Sequence, residues 1–321
     1  MSLVSTNPAT EEEIERYPLH GDEAVEHRLD RAASGFVANR DRSFDDRAQR
    51  LERAAALLEE NARSYGSLMT EEMGKPLDQA QAEAEKCAWV CRYYAEHGAD
   101  FLAEEPVETD AQKSYVAYEP LGPILAVMPW NFPFWQLFRF GAPALMAGNS
   151  ILLKHAPNVT GCAHAIEEVL RDAGFTDGEL QVLRIDEETV GRVLEDHRVR
   201  GATLTGSVAA GKAVARQAAA QVKPTVLELG GSDPFIVCAD ADLEAAATVG
   251  CTARMQNNGQ SCIAAKRFIV EQPVLEAFTD RLVEEVESLT VGDPTEGETD
   301  IGPMAREDLR AEVHDQVERA I

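Results

Sequence analysis

Apolar residues in the first hundred positions recur in steps of three and four. Val25, Leu29, Ala32 and Phe36 form one series, and Phe44, Ala48, Leu51, Ala55 and Leu58 form another. Pro76 suits a first helical turn, and after it Leu77, Ala80, Ala84, Cys87, Cys91 and Tyr94 make a third stripe. Three amphipathic helices are expected here. From Ser114 the period shortens to two, and 114–119 (SYVAYE) reads as an exposed edge or protruding strand. Short apolar runs follow at 124–128, 151–154, 181–185, 201–205 and 226–229, separated by helical stretches near 134–147, 160–173, 187–196 and 208–220. Strand, helix and strand at this spacing predict crossover connections and an α/β fold with a doubly wound parallel sheet. Such a sheet binds ligands beyond the carboxyl ends of its strands, which directs attention to the residues just after each run. Beyond Gly230-Gly231 a second unit begins, with strands at 235–238 and 266–270 and helices at 241–257 and from Pro273 to about 289. A loop at 291–304 and a helix from about 305 complete it. These elements are too few to close a core, so the expectation is a first domain over 1–229 and an incomplete α/β unit over 230–321.

Composition narrows the function classes. The net charge is −26, from 30 basic and 56 acidic residues, and only 7 of the basic residues are Lys. That balance repels phosphate backbones and anionic lipid, so neither nucleic acid nor a membrane surface is expected as a partner. An acid-rich, Lys-poor surface also suggests a protein kept soluble in high salt; general acidity for solubility is the plainer reading. No run approaches the length of a membrane span, and MSLVSTNPAT at the start has neither the basic nor the apolar region of a signal peptide. The six cysteines show no CxxC and no framework, which reads as reduced thiols in a cytoplasm.

Several strand ends carry unusual chemistry. The run at 124–128 leads into Pro129-Trp130-Asn131-Phe132-Pro133, where two prolines would hold the Asn131 amide as a placed donor; an ordinary Pro-rich turn is the plain alternative. Thr205-Gly206-Ser207, with Gly211, lies between a strand and a helix, where backbone N–H groups can receive an anion. It is not a GxGxxG, and tight turns use glycine routinely. Lys154 ends another strand. Glu228 stands inside an apolar strand (TVLELGG), so it is either a buried carboxylate suited to act as a base or an outward-facing strand residue. Cys87 and Cys91 share a buried helical stripe, whereas Cys262 follows the amide-rich loop Gln256-Asn257-Asn258-Gly259-Gln260-Ser261 with no apolar stripe to absorb it. Cys262 is therefore the nucleophile candidate. No His lies near it in sequence, and the seven His have no metal-ligand spacing, so neither a Cys–His protease nor a metal site is favoured.

Taken together these stretches resemble the aldehyde dehydrogenase superfamily. The motifs are NPAT at 7–10, PWNFP at 129–133, TGS at 205–207, LELGG at 227–231, GQSC at 259–262 and GDP at 292–294, in family order. Glu228 and Cys262 stand 34 residues apart, a specific signature. KHAPNV at 154–159, GGSDPFIV at 230–237 and AAKRFIV at 264–270 further resemble the Sad-type succinate-semialdehyde dehydrogenase branch. The resemblance implies a dinucleotide-binding domain followed by part of a catalytic domain, and oxidation of a small aldehyde, succinate semialdehyde among the candidates. Cys262 would be the nucleophile, Asn131 an oxyanion donor and Glu228 the base for thioester hydrolysis. NAD or NADP would lie with its ribose near Lys154, Ala156 and Pro157 and its pyrophosphate near Gly206, Ser207 and Gly211. Leu229 and Trp130 would line the nicotinamide side. The strand near 110–122 would be an oligomerisation arm, giving a dimer or tetramer for a full-length chain.

Three departures qualify the resemblance. Pro157 stands where many members carry a Glu that disfavours the 2′-phosphate of NADP. Gln256 occupies the position of a substrate-gripping Arg found in another succinate-semialdehyde branch, with Arg254 the nearest cation. The family's later Glu-x-Phe-Gly-Pro segment and closing strands have no counterpart in 1–321. The expectation is a C-terminally truncated chain, with an inactive cofactor- or subunit-binding fragment as one alternative and a CoA-acylating relative, disfavoured by Glu228, as another.

Overall fold

The fold is taken from a computed structural model that describes residues 2–321. It opens with an antiparallel hairpin of β1 (Ser2–Thr6) and β2 (Glu13–Pro18), which the apolar pattern did not reveal. Four helices follow where three were expected: α1 (Asp22–Arg40), α2 (Phe44–Glu60), α3 (Ala62–Met73) and α4 (Leu77–Phe101). The additional α3 is parted from α2 by Asn61 alone. Ser43 caps α2 by accepting from Asp46 N–H, and Gly74 ends α3 in the left-handed conformation that favours glycine. Pro76 sits just outside the first turn of α4, and Cys87 and Cys91 are fully buried on its inner face.

The expected exposed strand shrinks to a two-residue pairing of β3 (Glu105–Pro106) with β4 (Tyr115–Val116). Beyond it lies the doubly wound sheet. Its strands are β5 (Pro123–Val127), β6 (Ser150–Lys154), β7 (Leu180–Val182), β8 (Gly201–Thr205) and β9 (Thr225–Glu228). They run parallel in the order β7-β6-β5-β8-β9, so the strand order reverses beside β5. The crossovers are α5 (Trp135–Met146), α6 (Thr160–Asp172), α7 (Glu187–Glu195) and α8 (Val208–Ala220). Alternation along the strands divides the core. Ala126, Ile151 and Leu153 pack with α2–α6, while Leu125 and Leu152 pack with α1, α7 and α8.

The remainder is thinner. β10 (Asp233–Val237) and β11 (Ala265–Val270) form a parallel pair, accompanied by α9 (Leu243–Met255) and α10 (Leu275–Glu287), and α11 (Glu307–Ala320) ends the chain. Its buried apolar core consists of Val237, Ala247 and Phe278. No helix of the described residues is long and apolar enough to cross a membrane.

Candidate active site

The carboxyl ends of β5, β6, β8 and β9 open toward one region. The turn after β5 carries Trp130 and Asn131, both packed inward, with Trp130 against the larger core. Asn131 is buried. Its Nδ2 donates to the Gln260 carbonyl at 2.9 Å, and its own carbonyl accepts from Asn257 Nδ2 at 2.8 Å. The amide predicted to be a placed donor is thus tied to the loop that leads to Cys262, and an amide NH2 has a second N–H to give.

Cys262 is half-buried and lines a cavity of about 540 Å³ with Ser261, Trp135, Gln136, Arg139 and Lys86. Its carbonyl accepts from Lys266 Nζ at 2.6 Å, which fixes the backbone just past the thiol. Unpartnered buried polar atoms gather here: Asn131 Oδ1, Asn257 Oδ1, Gln260 Nε2, Ser261 Oγ and Gln136 Oε1. Native interiors rarely leave such atoms unpaired, and their concentration around one thiol marks a functional locus.

Of the two readings open for Glu228 in the sequence, the structure shows the outward-facing strand residue and not the buried carboxylate. Its side chain is 55% exposed because β9 is the edge strand; α8 covers the face holding Leu227 and Leu229, and the face of Val226 and Glu228 is open. Its nearest cation is Arg139 at 3.8 Å, which also donates to Thr205 Oγ1 at 3.2 Å. Sequence reasoning missed Arg139, since a helical arginine one turn after Trp135 carries no signal of its own. Arg254, the nearest cation along the chain, instead donates to the Gly259 carbonyl at 3.0 Å and serves as a strut of the Cys262 loop.

The residues expected around a dinucleotide fall into two groups. Ser207 caps α8 by accepting from Ala210 N–H, and residues 207–210 are exposed, with no acidic side chain in the first turn. Gly206 N–H is occupied by the Glu228 carbonyl. Gly211 is buried and packs on Leu229; a Cβ there would fall 2.5 Å from Leu229 Cδ2, so this glycine sets the approach of α8 to the sheet. Lys154 ends β6 half-buried and in no ion pair among the described residues, and burial pulls its ammonium below the usual lysine range. Ala156 follows in extended conformation, and Pro157 opens a short helical turn. An exposed helix N-terminus and an unpaired cation form a donor set suited to a polyanion. His155 joins this side to the Asn131 turn: Nε2–H donates to the Pro133 carbonyl and Nδ1 accepts from Ala156 N–H. Its burial pushes the imidazole down to about 4.

Comparison with known proteins shows the family to which the chain belongs. The family model described as aldehyde dehydrogenase family matches residues 2–321. A probable succinate-semialdehyde dehydrogenase [NADP(+)] of Synechocystis is 52% identical over 321 residues, covering 100% of this chain and 71% of the relative. The succinate semialdehyde dehydrogenase [NAD(P)+] Sad of Escherichia coli is 47% identical, covering 99% and 69%. The crystal structure of a Streptococcus pyogenes succinic semialdehyde dehydrogenase in complex with NADP+ superposes with a TM-score of 0.96 at 35% identity, covering 98% of this chain and 70% of that one.

Proposed function

This chain belongs to the aldehyde dehydrogenase family, and on that premise we propose that it oxidises a small aldehyde bearing a distal carboxylate, of the succinate-semialdehyde kind, with NAD+ or NADP+. The observation that carries the reading is a cavity lined by both a thiol, Cys262, and a guanidinium, Arg139. The thiol supplies covalent chemistry, and the planar guanidinium supplies two-point recognition of a carboxylate.

Cys262 as thiolate adds to the aldehyde carbon, and the second N–H of Asn131 would be the donor to the resulting oxyanion. NAD+ or NADP+ held by this chain would supply the acceptor for the hydride lost from the former aldehyde carbon. Cys262 then holds the acyl group as a thioester. Glu228, wet and beside Arg139, takes a proton from the water that cleaves it, and the acid leaves as the thiolate re-forms. The exposed first turn of α8 with Ser207, and Lys154 with its neighbour Pro157, fit the phosphates and ribose of the dinucleotide. With no carboxylate at 157, nothing at that position repels a 2′-phosphate. The exposed Val107, Tyr115, Val116 and Tyr118 about the β3–β4 hairpin support self-association, dimer or tetramer, as the role of the arm.

The test is growth of the reduced-nicotinamide absorbance with succinate semialdehyde against butanal, each with NAD+ and with NADP+. Preference for the carboxylated aldehyde supports the reading. Cofactor binding without turnover would favour an inactive binding fragment, and product release only with coenzyme A would favour an acylating enzyme.

A further inference from the structure

Two of the six motifs, 7–10 and 292–294, have no place in this chemistry, yet both reach the corner between α3 and α4. Gly74 has φ +78°, and a Cβ there would fall 2.9 Å from Pro8 Cγ and from the Pro303 carbonyl. Leu77 N–H donates to the Pro294 carbonyl at 2.9 Å. The same corner grips both halves of the active site. The Gly74 carbonyl accepts from Asn258 Nδ2 at 2.8 Å, and Gln79 Oε1 accepts from Asn257 N–H at 2.8 Å. Lys75, only 1% exposed, pairs with Glu83 and lies 4.4 Å from the centre of the Phe132 ring. The other oxygen of Glu83 accepts from Phe134 N–H and Trp135 N–H, both at 2.9 Å, and so caps the helix that carries Arg139.

Asn257 and Asn258 are both left-handed, at φ +58° and +57°, and Gly259 follows at +69°. Non-glycine residues in that conformation cost on the order of 1 kcal/mol each and persist where surrounding contacts over-determine them. Part of that determination comes from outside the loop, from Gln79 and Gly74. Positions 75, 79 and 83 are four apart, so they share one face of α4 and its lead-in, and all three line the Cys262 cavity.

We infer that Lys75, Gln79 and Glu83 are positioning residues that hold the Cys262 loop in register with the Asn131 turn. The inference rests on the reading of Cys262 as nucleophile, and its test needs neither aldehyde nor cofactor. Alkylation by iodoacetamide is followed peptide by peptide across a pH series, with the exposed Cys238 as internal reference and the buried Cys87 and Cys91 as reporters of unfolding. Gln79→Leu, which removes the acceptor for Asn257 N–H, is expected to change the Cys262-to-Cys238 rate ratio by about ten-fold, as expected for one lost buried hydrogen bond, and to move the midpoint of its pH profile. Gln79→Glu, which keeps an acceptor, should restore both. The double variant Lys75→Met, Glu83→Gln should shift the ratio in the same direction. A ratio and midpoint unchanged in Gln79→Leu, or no rescue by Gln79→Glu, would overturn the inference. If Gln79→Leu exposes Cys87 and Cys91, Gln79→Ala is read by the same criteria. Normal alkylation without turnover would count against the proposed function and not against the bracket.

Discussion

The five-stranded sheet and the two-stranded one are built from the same parallel βαβ units and differ in what covers them. In the large sheet Leu125 and Leu152 are fully buried under α1, α7 and α8 on one face, and Ile151 and Leu153 under the helices on the other. In the small sheet, Ile236 is 66% and Ile269 50% exposed, because helices cover one side only among the described residues. Parallel sheets are stable when both faces are covered, so the large unit holds its own shape while the small one leans on its neighbour. The candidate active site straddles this seam. Asn131 and Arg139 come from the turn and helix after the buried strand β5, and Glu228 from the end of the edge strand β9. Cys262 comes from the thin unit, and its loop is held by hydrogen bonds reaching from α4 and the Asn131 turn instead of by a core beneath it.

The contrast yields graded expectations. Leu152→Ala in the large core should cost about 2–5 kcal/mol in denaturant titration, since a fully buried leucine is lost among helices that cannot close over the gap. A loss under about 1 kcal/mol would make the large unit no more rigid than the small one. Acid should weaken the large unit through His155, whose folded value near 4 lies below the ordinary 6.5. The unfolded chain therefore binds the extra proton in that window, so stability is full above about 6.5 and falls as pH drops toward 4, by roughly 3 kcal/mol. His155→Gln should flatten that part of the pH–stability curve. Arg139→Gln should raise KM for a carboxylated aldehyde by about ten- to a hundred-fold, in line with the loss of one charged hydrogen-bond partner, and leave KM for butanal nearly unchanged. Ile269→Ser, on the bare face of the small sheet, should change stability by no more than about 0.5 kcal/mol; a larger loss would mean that this face is covered in solution.

Legibility in the sequence follows the same division. The five strands and four crossover helices of the large sheet stand out because buried parallel strands are short continuous apolar runs, as at 151–154 and 201–205, between helix-period stretches. The hairpin over 2–18 is mostly exposed, with Glu13, Glu15 and Arg16 in its second strand, so no alternation marks it. α3 is hidden by its closeness to α2 and by Gly66 within it. Among the candidate site residues, Cys262 stands out in the sequence because nothing local could bury it, and Asn131 because prolines flank it. Between a buried and an outward-facing Glu228 the sequence does not decide, because edge position belongs to the sheet and not to the strand. Gln79 and Glu83 read as the solvent side of an amphipathic helix; only the return of the 256–262 loop against α4 turns that face into a wall of the cavity.

In the proposed reaction Cys262 carries the acyl group and Glu228 releases it. The direct measurement is mass analysis of the Cys262 peptide after acid quenching of the protein with succinate semialdehyde and NADP+. Glu228→Gln should accumulate a succinyl mass on Cys262 while its turnover falls on the order of a hundred-fold or more, and Cys262→Ala should show neither adduct nor turnover. Turnover retained in Cys262→Ala, or the acyl mass on any other cysteine, would rule out Cys262 as the nucleophile.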